Sequence, residues 1–586
     1  MESHEFEIGL VMAGAISAGA YSAGVIDFFV EALDKYYEAR KRADWTGPTH
    51  DVRIPIVAGA SAGGMTAAIT ALHAFHDLVP AQPQSAPPPK AANRLYSSWV
   101  TDISIERLLE ISDLTNPKAH VPSGLCSDVL GQIVDSAFEI QGAVRERPWV
   151  GRGTDHSLRV RFTLTNMRGV PYSFKVFGAD SPERFGMTDH GDYLDFSVGM
   201  PGSAAGGALA LDIRDTSQPA WDLFKTGALA TGAFPIGLAA RRIKRPTQDY
   251  DFSQLVGMED HAGVFQTKAP DVSVSAANPY QFTAIDGGTI DNEPLELARR
   301  YLADGLGHGD HGGGQAKRAI ILIAPFPNYA RLPPDDHQDA LIHIAPKLLS
   351  MLIDQARFKP DELAKAEDDT NFSRYMIAPT RPANNAAARE FPIASGTIDG
   401  FGGFLHESFR RHDYLLGRRN AQAFIRWNLA LPEDNQLFAA YRASPQWDRR
   451  DEWYVRNVEG AQGSILADRD YLPKQYALKV DGPPAAKGLP IIPLTEDLKK
   501  PIEIVGLDLP NPDGIDLAAL RTAIDRRVGP LTERLIDLDL RRFTDGMLFG
   551  SAIRWAAQRY ATQLLSKKAL ELAQSAQQSV REAFRT

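Results

Sequence analysis

The stretch RIPIVAGASAGG, residues 53–64, carries the reading of the fold. Its first six residues are apolar or β-branched apart from Arg53 and Pro55, as in a strand buried on both faces. It then turns through Gly59-Ala60-Ser61-Ala62-Gly63 into an alanine-rich helix over 64–75. A strand, a small-residue turn and a helix in immediate succession make one half of a βαβ unit. The same pattern occurs upstream: Glu7–Met12 reads as a strand, Gly14–Gly19 as a small-residue loop and Tyr21–Leu33 as a helix.

Further along, alternation predicts a strand at Ser157–Thr165, continued at Ser173–Phe177, with others at Phe282–Ile285 and Arg318–Ala324. Helices are expected at Ser104–Phe138, Trp221–Phe234 and Glu293–Leu302. Residues 182–220, rich in Gly, Ser and Asp, read as an irregular excursion. Beyond Pro327 strand signals thin out, and helices are expected at Pro346–Ala356, Phe404–Asn428 and Asp516–Ser566. The expected fold class is therefore α/β. A three-layer α/β/α domain with a mainly parallel sheet occupies 1–330, with insertions at about 76–150 and 182–220. A mainly helical region occupies 331–586.

The chain has 586 residues, 44% hydrophobic and 23% charged, which is ordinary globular usage. A formal charge of −10 argues against a general nucleic-acid binder, because phosphate contacts need clustered Lys and Arg. The one cysteine, Cys126, excludes a disulfide framework and a cysteine-built metal site. Ile8–Ile26 is an uncharged run of near-spanning length, but four glycines and the acidic residues ahead of it favour a buried strand–loop–helix. A cytoplasmic protein is expected, at most peripheral at a membrane surface.

Three segments carry chemistry. In Gly59-Ala60-Ser61-Ala62-Gly63, glycines on either side let the chain double back and lift the Ser61 hydroxyl above the sheet. The alternative is a tight βα turn with a capping serine. Asp286-Gly287-Gly288-Thr289-Ile290-Asp291-Asn292-Glu293-Pro294 puts a carboxylate at a strand end, or merely an aspartate in a turn. Gly14-Ala15-Ile16-Ser17-Ala18-Gly19 offers backbone N–H groups to an oxyanion, or a close helix–strand contact.

These three segments, in this order, resemble the patatin-like phospholipase family, as does Ala230-Thr231-Gly232-Ala233-Phe234-Pro235 between the second and third. The resemblance covers roughly residues 5–330. It implies a serine acyl hydrolase acting on phospholipid or other carboxylic esters, with Ser61 as nucleophile and Asp286 as general base. It also implies an oxyanion hole from Gly14, Ala15 and Ile16, a nucleophile elbow flanked by Gly59 and Gly63, and no metal or cofactor. The partner it implies is a lipid or other acyl-ester substrate; apart from the resemblance, the last helix leaves a peripheral membrane contact open and the acidic charge speaks against nucleic acid. The loop departs from the family's glycine-rich form, keeping two of four glycines and placing Ala18 where a basic residue is usual. That departure opens a second reading, a catalytically inactive patatin-fold binding or scaffold protein. A third, a Ser-His-Asp α/β-hydrolase, would use Ser61, Asp286 and His412, which follow one another in the right order.

Other candidates have plainer readings beside them. His308-Gly309-Asp310-His311 is a weak metal site or a solvated loop. Arg410, Arg411, His412, Arg418 and Arg419 contact an anionic headgroup or make internal ion pairs. The last helix, about 551–585, bears six basic side chains against two acidic ones. It touches an anionic bilayer or packs on protein.

Overall fold

The structure is a computed structural model that describes residues 5–584 except 117, 140–142, 176–183, 203–206, 253–254, 260–264, 272–277, 304–310, 327–350, 352–353, 358, 369–370, 382–391, 456–487, 501, 503–509 and 540–549. The two N-terminal βα units form as expected: β1 (Glu5–Met12), α1 (Gly19–Ala39), β2 (Asp51–Gly59) and α2 (Ala62–His73). They are followed by α3 (Asp128–Phe138), β3 (Leu158–Lys175), β4 (Arg184–Gly199), β5 (Leu209–Asp212), α4 (Ala220–Thr231) and β6 (Arg241–Arg245). A small ribbon of β7 (Leu255–Glu259) and β8 (Phe265–Lys268) precedes β9 (Tyr280–Asp286), α5 (Leu295–Leu302), β10 (Arg318–Ile323), α6 (Pro360–Glu367) and β11 (Arg374–Ile377). The helical remainder contains α7 (Glu407–Trp427), α8 (Leu517–Arg534) and α9 (Gly550–Ala583).

The main sheet runs β11-β10-β1-β2-β3-β4-β5, with β9 on β3 and β6 on β9. Pairing is parallel from β11 through to β3. Alternation along the central strands separates two cores. Phe6, Ile8, Leu10 and Met12 of β1 join the cluster that includes α1 and α2, while Val11 joins Leu295, Ala298 and Leu302 of α5 on the opposite face. The protein is thus a mixed α/β molecule with helices on both faces of a mostly parallel sheet.

The uncharged run Ile8–Ile26 splits between β1 and α1. The helical stretch Ile16–Ala39 has the length and mean hydropathy (1.3) of a membrane span, yet 89% of its most apolar 18-residue window is buried inside the fold. Its glycines serve a helix crossing. A Cβ on Gly24 would lie 1.9 Å from the Tyr414 carbonyl, and one on Gly417 would lie 2.2 Å from that of Tyr21, so α1 and α7 meet backbone to backbone. Around this crossing Arg418 pairs with Asp27 and Glu31, and Tyr414 Oη donates to Asp27 Oδ2 at 2.6 Å.

Of the α7 arginines, Arg410, Arg418 and Arg419 are buried and Arg411 is half-buried. Arg410 donates to the carbonyls of Val100 and Gly403, and Arg411 to Tyr96 Oη and the Pro83 carbonyl. Ala573, Ala576 and Val580 of α9 are buried with Leu520 and Ile524 of α8, so the basic C-terminal helix packs on protein along that face.

Several expectations need correction. Residues 184–199 are a sixteen-residue strand rather than an irregular excursion. Leu194, Phe196 and Val198 alternate inward there, a pattern masked by the surrounding Gly and Asp. Strand β3 is continuous across 158–175, with a bulge between Thr165 and Val170. The helical expectation for 104–138 holds only at the turn Ile105–Leu108 and at α3, with prolines in the linker between. The sheet also continues past residue 330, because β11 pairs in parallel with β10. Most of the helix expected at 346–356, residues 308–310 of the histidine loop, and the middle of the helix expected at 516–566 lie outside the described residues.

Candidate active site

Strand β3 brings the site together by acting as a ruler. Its residues Arg159–Phe162 pair with the C-terminal half of β2. Its next residues, Leu164–Asn166, pair with β9 running the opposite way. Strands β2 and β9 therefore lie along the same edge of β3 and point at each other. The residues that follow or end them, Ser61 and Asp286, meet head-on.

Ser61 stands at φ +52°, ψ −130°, between β2 and α2. A non-glycine residue there costs on the order of 1–3 kcal/mol and persists only where its surroundings impose it. The surroundings do so. The Ala60 N–H donates to the Met12 carbonyl at 3.2 Å, and the Ser61 N–H to Thr231 Oγ1 at 2.9 Å. The turn closes so tightly that a Cβ on Gly59 would lie 2.5 Å from the Gly63 carbonyl carbon, and one on Gly63 would lie 2.2 Å from the Met12 carbonyl oxygen. Both predicted elbow glycines are thus required sterically.

Replacing Thr231 by valine keeps the shape and removes the acceptor. The buried Ser61 N–H is then left unsatisfied, and an expected loss of about 1–3 kcal/mol in unfolding free energy is measurable by denaturant titration.

The Ser61 hydroxyl donates to Asp286 Oδ2 at 2.6 Å, and the Gly288 N–H donates to Oδ1 at 2.7 Å. The Asp286 backbone is held by its N–H on the Ala233 carbonyl (3.0 Å) and by Thr165 Oγ1 on its own carbonyl (2.8 Å). Ser61 and Asp286 are 7% and 4% exposed. Burial pushes the Asp286 carboxyl up to about 7, outweighing the lowering by its bonds from Ser61 and Gly288. A buried carboxylate poised near neutrality, bonded to a serine hydroxyl, is chemically a base for that hydroxyl.

His412 is elsewhere in the fold. Its Nδ1 lies 2.9 Å from Asp413 Oδ1 and its ring meets Phe584 edge-on. Among the described residues the partner of the Ser61 hydroxyl is a carboxylate, not an imidazole.

The loop expected to hold an oxyanion sits beside Ser61. A Cβ on Gly14 would lie 3.1 Å from Ser61 Cβ and 2.1 Å from Asn292 Oδ1. The Gly14 N–H, however, donates to the Asn292 carbonyl at 3.2 Å, so it is engaged in this structure. Ala15 and Ile16 open the turn Ile16–Ala18, where N–H groups have no acceptor within the helix. Ala62 opens α2 without a side-chain cap from Ser61, which adds a further N–H at the positive end of a twelve-residue helix. Ile16, Ser61 and Ala62 line one small apolar cavity.

That cavity, about 40 Å³, is walled by Met65, Trp99, Ile103, Leu130, Phe234 and Phe404, among others. A second apolar chamber of about 30 Å³ lies behind it and shares Met65, Trp99, Ile103 and Leu130. Sequence reading missed Trp99, Phe401 and Phe404 as walls of the site. Thr231 lies in the Ala230–Pro235 stretch already noted, but nothing local marks Phe401-Gly402-Gly403-Phe404. A larger cleft of about 660 Å³ lies elsewhere, at the N-terminal ends of β10 and β11, away from Ser61. Among the described residues no group of three or more His, Cys, Asp or Glu side chains forms a metal-holding cluster.

No family model matches the chain. It is similar to the uncharacterized protein y4iI of Sinorhizobium fredii (strain NBRC 101917 / NGR234), with 36% identity over 471 residues, 74% of this chain. The matched chain spans 66% of that protein's length.

Proposed function

We propose that the protein is a serine acyl hydrolase of the patatin-like kind, cleaving carboxylic esters with an apolar acyl group. The observation that carries the reading is the 2.6 Å hydrogen bond from the Ser61 hydroxyl to a buried Asp286 carboxylate at the head of an apolar cavity. In this mechanism Ser61 Oγ attacks the ester carbonyl carbon while its proton passes to Asp286. The tetrahedral oxyanion is held by the N–H groups of Ala15, Ile16 and Ala62. Collapse breaks the bond to the alkoxy oxygen, which leaves with the proton from Asp286. A water molecule then attacks the acyl-enzyme, giving its proton to Asp286, and the acid is released as Ser61 recovers its hydrogen.

The lining suggests the acyl part of the substrate. Both chambers are narrow and lined almost wholly by apolar side chains. In this reading an acyl chain runs from the first chamber into the second. Met65 lies between the chambers and is unbranched and adaptable. Replacing Met65 by alanine is expected to merge them and raise kcat/KM for decanoyl relative to butanoyl p-nitrophenyl esters by about threefold or more. An unchanged chain-length profile would remove Met65 from this role.

The proposal itself is tested by a fluorophosphonate probe and p-nitrophenyl esters. Labelling and hydrolysis that both require Ser61 support it, and folded protein that does neither supports the binding or scaffold reading.

A further inference from the structure

Among the described residues, the region beyond residue 330 reaches the cavity beside Ser61 through one segment. Residues 394–405 form three consecutive short turns, Ala394–Gly396, Ile398–Gly400 and Gly402–Leu405. This strap hangs from α7. The carboxylate of Asp413 accepts the N–H groups of Ala394 and Ser395 at 2.9 and 2.8 Å. The Arg410 guanidinium donates to the carbonyls of Gly403 (2.8 Å) and Phe404 (3.3 Å), and also to Val100 (2.9 Å) in the helical insertion. Both side chains are buried, so these bonds do not compete with water.

At its other end the strap grips the loop beside Ser61. The buried Ser17 hydroxyl donates to the Gly400 carbonyl and accepts the Gly403 N–H at 3.0 Å. Ile16, directly before it, stands at φ +48°. A β-branched residue is strained there, and Ala15 and Ile16 do not relieve the turn as glycines would. Such a turn holds its shape only when clamped from outside, and Ser17 is where the clamp attaches.

Resting on the acyl hydrolase reading, we infer that Ser17 is a positioning residue. It ties the 394–405 strap to the 14–19 loop and so aims the Ala15 and Ile16 N–H groups at the oxyanion. The C-terminal region is then part of the catalytic apparatus. It supplies Phe401 and Phe404 to the cavity wall and, through Asp413, Arg410 and Ser17, the rigidity that a loop poor in glycine lacks.

The test compares full-length wild type, Ser17→Ala and Ser17→Cys. The readouts are thermal melting, steady-state hydrolysis of p-nitrophenyl butanoate and the rate of fluorophosphonate labelling. Ser17→Ala is expected to lower kcat on the order of 10–10²-fold with KM changed less than about threefold. Labelling should slow in parallel, because the phosphonyl oxygen uses the same donors. Ser17→Cys, which nearly keeps the volume and retains a weak donor, should fall between. A folded Ser17→Ala with kcat and labelling within about twofold of wild type, or a change confined to KM, overturns the assignment. If Ser17→Ala does not fold, Ser17→Cys decides: lowered kcat at unchanged KM supports the assignment, and a wild-type rate overturns it. Wild-type protein that neither labels nor hydrolyses overturns the hydrolase reading and this one with it, a failure distinct from unaffected Ser17 variants of an active enzyme.

Discussion

Replacing Ser61 by alanine is expected to reduce ester hydrolysis on the order of 10³-fold or more and to abolish fluorophosphonate labelling, with the fold intact. The size of the effect follows from the chemistry. The acyl-enzyme route needs an oxygen that bonds to carbon, and the N–H donors and apolar cavity that remain cannot form that bond. The fold should survive because the elbow is imposed by contacts other than the hydroxyl: the Met12 carbonyl, Thr231 Oγ1 and the close approach at Gly59 and Gly63. Alanine must still adopt a positive φ, but it inherits the same constraints. Purified Ser61→Ala with wild-type circular dichroism and wild-type turnover would end the proposal.

Changing Asp286 to asparagine should cost nearly as much activity and should also remove a pH dependence. The general base works only when deprotonated. Wild-type kcat/KM is therefore expected to rise with pH up to about 7, where burial has placed this carboxyl, and to level off above. Asparagine carries no titrating group, so its residual rate should lack that limb.

Stability should move the other way. Asp286 is raised from 3.8 to about 7 in the folded protein, so over that range the folded form keeps a proton that the unfolded chain has lost. Its contribution to stability is full below about pH 4 and is lost as pH rises to about 7, on the order of 4 kcal/mol in all. Asparagine stays neutral throughout. Asp286→Asn should thus melt above wild type at pH 8 and converge with it near pH 4. A variant melting below wild type at both pH values would show that the carboxylate is not held against its solvation preference.

How much was legible beforehand differs between the two halves of the site. Residues 53–64 state their own structure, because a doubly buried strand, two elbow glycines and an alanine-rich helix are all local patterns. The same holds for β1, α1 and the Asp286-Gly287-Gly288 corner. Strand β4 was misread because its alternation of Leu194, Phe196 and Val198 lies among residues that usually mark loops. It is stabilised by pairing along β3 rather than by its own propensity. Strand β11 is only four residues long, too short to signal itself, and it forms because β10 offers it an edge.

From the residues alone came the α/β class, the two βα units, the helical character of the later chain and the candidates Ser61 and Asp286. The elements rest on periodicity or turn chemistry within a dozen residues, whereas the roles expected of Ser61 and Asp286 rest on the order of four separated segments that resembles the patatin-like family. Only the tertiary structure decided that these two side chains, 225 positions apart, share one hydrogen bond, since that depends on β9 meeting β2 head-on along β3. It alone engaged the Gly14 N–H with Asn292, placed His412 against Asp413, and tied the 394–405 strap to Ser17 beside the Ser61 cavity. Burial, too, is a property of the assembled molecule. Sheet and helices closing around this carboxyl push it up from 3.8 in an open chain to about 7.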